Sequence, residues 1–114
     1  MGKVVRLAEH RRRKIRIAFT RSELNQLISL YSQHVIRGEW RDYAIDHGER
    51  MAAFSVYRRS IDPPLFTITK TRLPGQGGER FRIESRRGRL HEGNSLAEAL
   101  GHISKRPHLV TQAS

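Results

Sequence analysis

The first regular pattern in the chain is a helical spacing of apolar residues. These residues recur every three or four positions and form one stripe: Leu24, Leu27, Ile28, Tyr31 and Val35. Thr20 and Glu23 have the spacing of a capping box, in which each side chain accepts a hydrogen bond from the backbone N–H of the other residue. Gly38 permits the left-handed conformation that commonly ends a helix. The pattern predicts a helix over about residues 20–37 that packs on a sheet through its stripe.

After this helix the chain alternates between apolar and polar residues, as half-buried strands do. The alternation covers four segments, namely 42–46, 52–57, 65–69 and 80–84, and Leu90 and His91 indicate a brief fifth strand. Turn-forming residues separate the segments at 47–50, 61–64, 73–78 and 86–89. Connections this short favour antiparallel pairing of consecutive strands.

A second helix follows the strands. Ser95 and Glu98 have the spacing of a capping box, and Leu96, Ala99, Leu100 and Ile103 share one helical face before Pro107. The sum predicts a two-layer α+β fold in which an antiparallel sheet of four to five strands carries two helices on one face, in the order helix, strands, helix. The other face of the sheet is expected to be wet and rich in Arg, Ser and Thr. We expect one domain over residues 17–106, a basic flexible tail at 1–16 and a loose C-terminus at 107–114.

Charge adds a second signal to this picture. The 114 residues carry a formal net charge of +11, of which residues 1–16 supply +6 and the remainder supplies +5. Within that tail, Arg11, Arg12, Arg13 and Lys14 form an uninterrupted basic block that repels itself and favours an extended chain. Such an excess attracts polyanions, which include nucleic acid and acidic proteins.

Composition also excludes several kinds of chemistry. The chain has no cysteine, so disulfides, thiol nucleophiles and cysteine-ligated metals are ruled out, and a reducing cytoplasm is compatible with this. The six histidines are scattered without metal-ligand spacing, and the glycine-rich segment 75–78 precedes a strand rather than a helix. No apolar run approaches the roughly 20 residues that a membrane span needs. We therefore expect no catalytic residue, no cofactor, no metal site and no membrane span.

Three segments of the chain carry a resemblance to a known family. Residues 19–24, 38–46 and 54–59 together resemble a family of short alphaproteobacterial proteins classed as a domain of unknown function, and the resemblance covers about residues 19–105. It implies a bacterial, cytoplasmic setting and carries no activity, cofactor or catalytic residue across. The order of elements is also similar to the double-stranded RNA-binding domain, but residues 94–98 lack the lysine cluster that this module places at its second helix. That similarity is an analogy of shape alone.

Basic residues at strand ends are the best candidates for a functional site. The candidates in the predicted domain are Arg58, Arg59, Arg86, Arg87 and Arg89, and those in the tail are Arg11, Arg12, Arg13 and Lys14. Lys70, Arg72, Arg80 and Arg82 follow the same pattern. Guanidinium groups bind phosphates bidentately, and Trp40, Tyr43 or Tyr57 would stack on bases if exposed. The sequence therefore favours a small basic protein that binds nucleic acid without catalysis.

Other interpretations of the same residues stay open. Charged strand ends also protect sheet edges from aggregation. A regulatory protein–protein module would present an exposed apolar patch around Trp40 and dock its tail on an acidic partner. An enzyme would use the acids Asp42 and Asp46, but we favour a solvated strand face that pairs with nearby arginines. The exposure of Trp40 and the placement of the arginines separate these alternatives.

Overall fold

A computed structural model describes residues 17–72 and 78–104 of the chain. Its elements are helix α1 (Arg21–Ile36), strands β1 (Asp42–His47), β2 (Met51–Tyr57), β3 (Phe66–Arg72), β4 (Glu79–Ser85) and β5 (Gly88–Gly93), and helix α2 (Leu96–Ser104). The α+β class and the order of helix, strands and helix are confirmed. The predicted tail at 1–16, most of the glycine-rich loop at 73–78 and the C-terminus at 107–114 lie outside the described residues.

The five strands form one antiparallel sheet in the order β1-β2-β3-β4-β5. β5 is a complete strand of six residues, whereas the alternation predicted only a brief one. The cause is a shift in register between Ile83 and Glu84, because Arg89 pairs with Glu84 and His91 with Ile83, which leaves Leu90 as an extra residue. A bulge of this kind breaks the two-residue period on which the sequence prediction depended.

The core lies on one face of the sheet. Its sheet residues include Phe54, Val56, Phe66, Ile68, Phe81 and Ile83, and its helix residues include Leu27, Leu96, Ala99 and Ile103. Tyr31 of α1 packs edge-on against Tyr43 of β1 with ring centroids 4.8 Å apart. His102 of α2 stacks on His91 of β5 at 4.1 Å. Since Tyr43 pairs with Val56 and His91 with Ile83, both helices contact the same face.

Helix α1 begins at the predicted capping box. The Glu23 N–H donates to Thr20 Oγ1 at 3.1 Å, and the Thr20 N–H donates to Glu23 Oε1 at 2.8 Å. Leu27 is fully buried, as the stripe predicted, but Val35 is 37% exposed and His34 takes the buried position in that turn. A polar side chain can hold this position because Glu39 supplies a hydrogen-bond partner for its imidazole.

The end of α1 places the only tryptophan in the core. Gly38 has a φ of +79° and donates its N–H to the Val35 carbonyl at 2.8 Å, while the Glu39 N–H donates to the His34 carbonyl at 2.9 Å. These two bonds form a Schellman motif. The Glu39 carboxylate also contacts His34 Nδ1 at 2.5 Å, and Trp40 stacks on the His34 ring at 4.2 Å. Trp40 is therefore buried, so it contributes to no exposed apolar patch and does not meet the condition of exposure that base stacking requires.

The structure also corrects the prediction that Lys70 is one of the accessible basic residues. It is only 2% exposed on the core face of β3, and its Nζ donates to Glu23 Oε1 at 2.8 Å and to the Ala18 carbonyl at 2.9 Å. Lys70 is two residues from Ile68 in β3, so its side chain lies on the core face of the sheet and not on the polar face. The lysine therefore ties the start of α1 to the sheet and is not available to a phosphate.

Candidate nucleic-acid interface

The topology of the sheet gathers several arginines at one end. In an antiparallel meander β1, β3 and β5 begin where β2 and β4 end, and the observed pairing of Asp42 with Tyr57 and of Phe66 with Ser85 follows that rule. We call this end of the sheet the arginine end. Its members are seven exposed arginines of the described chain, namely Arg37, Arg41, Arg58, Arg59, Arg86, Arg87 and Arg89.

The structure brings together all five arginines that the sequence predicted within the domain. It also adds Arg37 and Arg41, which the sequence analysis did not select. The hairpin between β1 and β2 was the available signal for Arg41, since the Arg41 N–H donates to the Tyr57 carbonyl at 2.9 Å and so lies beside the end of β2. Arg37 lies at the arginine end because it is the C-cap residue of α1, just before Gly38.

The loop between β2 and β3 is fixed in place at the arginine end. The Asp62 N–H donates to the Arg59 carbonyl at 3.0 Å, and the Arg59 guanidinium contacts the Asp62 carboxylate at 3.1 and 3.4 Å. Arg86 donates from Nε to the Pro64 carbonyl at 3.2 Å and from Nη2 to the Pro63 carbonyl at 2.8 Å. Arg86 therefore joins this loop to the β4–β5 turn through neutral carbonyl groups, which leave its positive charge in place.

Two neighbouring clefts open at the arginine end. The arginine cleft has a volume of about 190 Å³ and is lined by Gly38, Arg41, Arg58 and Arg59. The isoleucine cleft has a volume of about 350 Å³ and is lined by Arg41, Asp42, Arg59, Ser60 and Ile61. Because Arg41 and Arg59 line both clefts, a single ligand can occupy the two together.

A second basic group surrounds Glu92 on the sheet face opposite the core. Arg89 contacts the Glu92 carboxylate at 3.0 Å, Arg82 at 3.5 Å and Arg80 at 3.6 Å. Desolvation acts to raise the pKa of Glu92, but the positive charges of Arg82, then Arg89 and Arg80, hold that pKa below its ordinary value. One carboxylate cannot neutralise three guanidinium groups, so this group is net positive even beside Glu84, which lies 3.9 Å from Arg82.

Among the remaining predicted basic residues that the structure describes, Arg72, Arg80 and Arg82 do not belong to the arginine end. Arg11, Arg12, Arg13 and Lys14 lie outside the described residues. Ile17 donates its N–H to the Gly48 carbonyl at 2.8 Å, which places the start of the described chain at the opposite end of the sheet. Arg72 is also at that opposite end, where it pairs with Glu79 at 3.1 Å.

The acids and aromatics of β1 have local partners. Asp42 Oδ1 accepts from the Tyr43 N–H at 2.8 Å, and Tyr43 stacks on Phe54 with ring centroids 5.3 Å apart. Tyr57 is half-buried at the end of β2. Across residues 17–72 and 78–104, no group of three or more His, Cys, Asp or Glu side chains is arranged to hold a metal ion. In the same ranges neither helix is long and apolar enough to cross a bilayer.

Comparison with known proteins identifies a family for this chain. Neither the curated proteins nor the solved structures include a match to this chain. A family model matches residues 17–110, which is most of the chain and includes both helices and the whole sheet. The match confirms the resemblance to a domain of unknown function. The chain belongs to the family described as protein of unknown function, DUF2794.

Proposed function

We propose that this protein is a small, non-catalytic, cytoplasmic protein that binds nucleic acid through phosphates, largely without reading base sequence. The observation that carries the proposal is the gathering of seven exposed arginines at one end of the sheet. The described residues include 13 basic and 10 acidic residues, so more than half of the basic residues lie at this one end. The basic tail would add to the same attraction.

The chemistry of the arginine end suits phosphate. A guanidinium group presents a planar fork of donors that matches two phosphate oxygens. Within residues 17–72 and 78–104, neither Arg41 nor Arg87 forms an ion pair, so binding would not first break one. Phosphate contacts position a protein on nucleic acid without specifying a base, which agrees with the proposed lack of sequence reading.

Fluorescence anisotropy of a labelled oligonucleotide across a salt series tests the proposal. Binding should be measurable at about 50 mM salt and should weaken steeply as salt rises, because each neutralised phosphate releases counterion. A variant with Arg41, Arg58 and Arg59 changed to Gln should lower the salt slope by about 0.7–0.9 for each phosphate contact that is lost. A second variant, in which Arg11, Arg12, Arg13 and Lys14 are changed to Gln, measures how much the tail contributes to the affinity and to the salt slope.

The control for the domain variant is Arg50→Gln with Arg72→Gln, which removes two positive charges where the domain variant removes three. Both residues are exposed, and Arg72 lies at the opposite end of the sheet. The control should keep most of the affinity and the salt slope of the wild-type protein. Absence of binding at about 50 mM salt would contradict the proposal, since electrostatic contacts are strong there. Equal losses of binding free energy per removed charge in the control and in the arginine-end variant would show that the effect is one of total charge.

A protein–protein module is the second candidate, and the exposure of Ile36 and Ile61 favours it. These residues are 85% and 81% exposed near the arginine end, although the Trp40 patch on which the module was first based is buried. A partner with acidic residues around an apolar anchor would fit this surface. Affinity purification with and without nuclease separates the two candidates. A partner that nuclease does not release, and that the Arg41, Arg58 and Arg59 variant loses, would favour the module.

A further inference from the structure

We infer that the arginine end binds nucleic acid as a single strand, with a phosphate in the arginine cleft and an unpaired base in the isoleucine cleft. The inference rests on the proposed function and names the form of nucleic acid that the site takes. It follows from the side-by-side placement of three guanidinium groups, a carboxylate and a protruding apolar side chain.

The arginine cleft supplies the phosphate side of the site. Arg41, Arg58 and Arg59 line it together with Gly38, where a Cβ atom would meet no other heavy atom within 4 Å. The backbone at Gly38 is therefore open to close approach by a ligand. The cleft has a volume of about 190 Å³ and is lined by three guanidinium groups, of which Arg59 is paired with Asp62, so a net positive charge remains to attract a phosphate group.

The isoleucine cleft differs in having an apolar and an acidic side chain. Ile61 is 81% exposed, and a duplex would not present the flat face of a base to it, because the faces of paired bases are stacked inside. An unpaired base offers a flat face that can cover an apolar side chain. A single strand therefore buries more of this isoleucine than a duplex does.

Asp42 determines which part of the strand enters which cleft. Its carboxylate repels a phosphate from the isoleucine cleft and accepts hydrogen bonds from the amino group of an unpaired base. One oxygen already accepts from the Tyr43 N–H at 2.8 Å, and the other remains an acceptor. The phosphate is therefore directed to the arginine cleft and an amino-bearing base to the isoleucine cleft.

The loop that carries Ile61 is held before any ligand arrives. The Arg59–Asp62 turn brackets Ile61, and Arg86 holds the carbonyls of Pro63 and Pro64. A side chain presented on a fixed loop costs little further ordering on binding. The site is therefore largely preformed.

The test compares a labelled 12-nucleotide single strand with its duplex, using the full-length chain at about 50 mM salt, where electrostatic contacts are strong. The single strand should bind more tightly. Ile61→Ser should weaken its binding by about five- to tenfold, with the duplex affinity and the salt slope unchanged, because only an apolar contact is removed. Met51→Ser is the matched control, since Met51 is 47% exposed at the opposite end of the sheet. Asp42→Asn should reduce the preference for oligo-dC over oligo-dT.

The outcomes separate this inference from the proposed function. Equal affinity for single strand and duplex, or an Ile61→Ser effect no larger than that of Met51→Ser, would overturn the inference while nucleic-acid binding stands. Absence of binding to either form would remove both. Binding to phosphatidylserine vesicles that Ile61→Ser abolishes, with no effect of that variant on the single strand, would assign the surface to a membrane and overturn the inference as well.

Discussion

Replacing Lys70 with methionine should destabilise the fold strongly and leave nucleic-acid binding almost unchanged. Lys70 is buried, and its ammonium group contacts the Glu23 carboxylate at 2.8 Å and the Ala18 carbonyl at 2.9 Å. The methionine side chain fills similar space but donates no hydrogen bond. The variant therefore leaves a carboxylate and a carbonyl without their donor in the interior.

The expected loss of unfolding free energy depends on how exposed Glu23, the partner of Lys70, is to solvent. Removing one member of a buried ion pair costs about 3–5 kcal/mol. The lower part of this range applies here, because the Glu23 side chain is 15% exposed and still accepts a hydrogen bond from the Thr20 N–H at 2.8 Å. We therefore expect Lys70→Met to lower the free energy of unfolding by about 3 kcal/mol, a large share of the 5–15 kcal/mol typical of a domain. With a urea m-value of about 1.5 kcal/mol/M, the midpoint falls by about 2 M.

Urea unfolding followed by Trp40 fluorescence measures this loss, since Trp40 is the only tryptophan and is buried in the core. A double-mutant cycle adds Glu23→Gln, which keeps an oxygen acceptor for the cap while removing the charge. The two changes together should cost less than their sum by about 1–3 kcal/mol, because they remove both sides of one contact. Arg50→Met, at an exposed position, is the control.

Two results would refute the reasoning. The first is a Lys70→Met midpoint no lower than that of Arg50→Met, which would mean that the lysine is not buried in its ion pair. The second is a reduced salt slope of nucleic-acid binding in Lys70→Met, which would assign the lysine to a phosphate after all.

Three further predictions concern helix α1, its C-terminal end and the Glu92 cluster. Leu27→Ala should lower the free energy of unfolding by about 2–5 kcal/mol, because Leu27 is fully buried. Val35→Ala should cost far less, because Val35 is more exposed, and similar losses for the two variants in urea unfolding would show that the buried face of α1 is misassigned. Gly38→Ala should cost about 1–2 kcal/mol because its φ is +79°, and Gly38→Asn should cost less; an unchanged midpoint would argue against the left-handed helix end. Because the pKa of Glu92 is lowered in the folded state, its ionised form stabilises the protein above the ordinary value of 4.5, and this contribution is lost as pH falls through the lowered pKa. The difference in unfolding midpoint between wild type and Glu92→Gln should therefore shrink with acidification below pH 4.5, and a difference that does not change with pH would contradict the Arg82 pairing.

Much of the fold was predictable because it depends on neighbours in sequence. The cap at Thr20 and Glu23 needs residues three positions apart, and both of its bonds are present. The strands follow from a two-residue period, and their boundaries agree within a few residues. The last strand was underestimated because the extra residue at Leu90 interrupts that period. Val35 was placed in the buried stripe because periodicity alone cannot choose between positions 34 and 35.

By itself, the sequence determined the class of fold, the order of its elements and the positive charge that favours a polyanionic partner. The tertiary structure alone decided which polar groups are buried and which basic groups meet. Lys70 and Glu23 are 47 residues apart and become partners only when α1 packs on β3. Arg41 joins Arg58 and Arg59 only through the pairing of β1 with β2. Local spacing specifies which face a side chain takes, but the free energy of burying a charge depends on a partner that only the folded chain brings within hydrogen-bond distance.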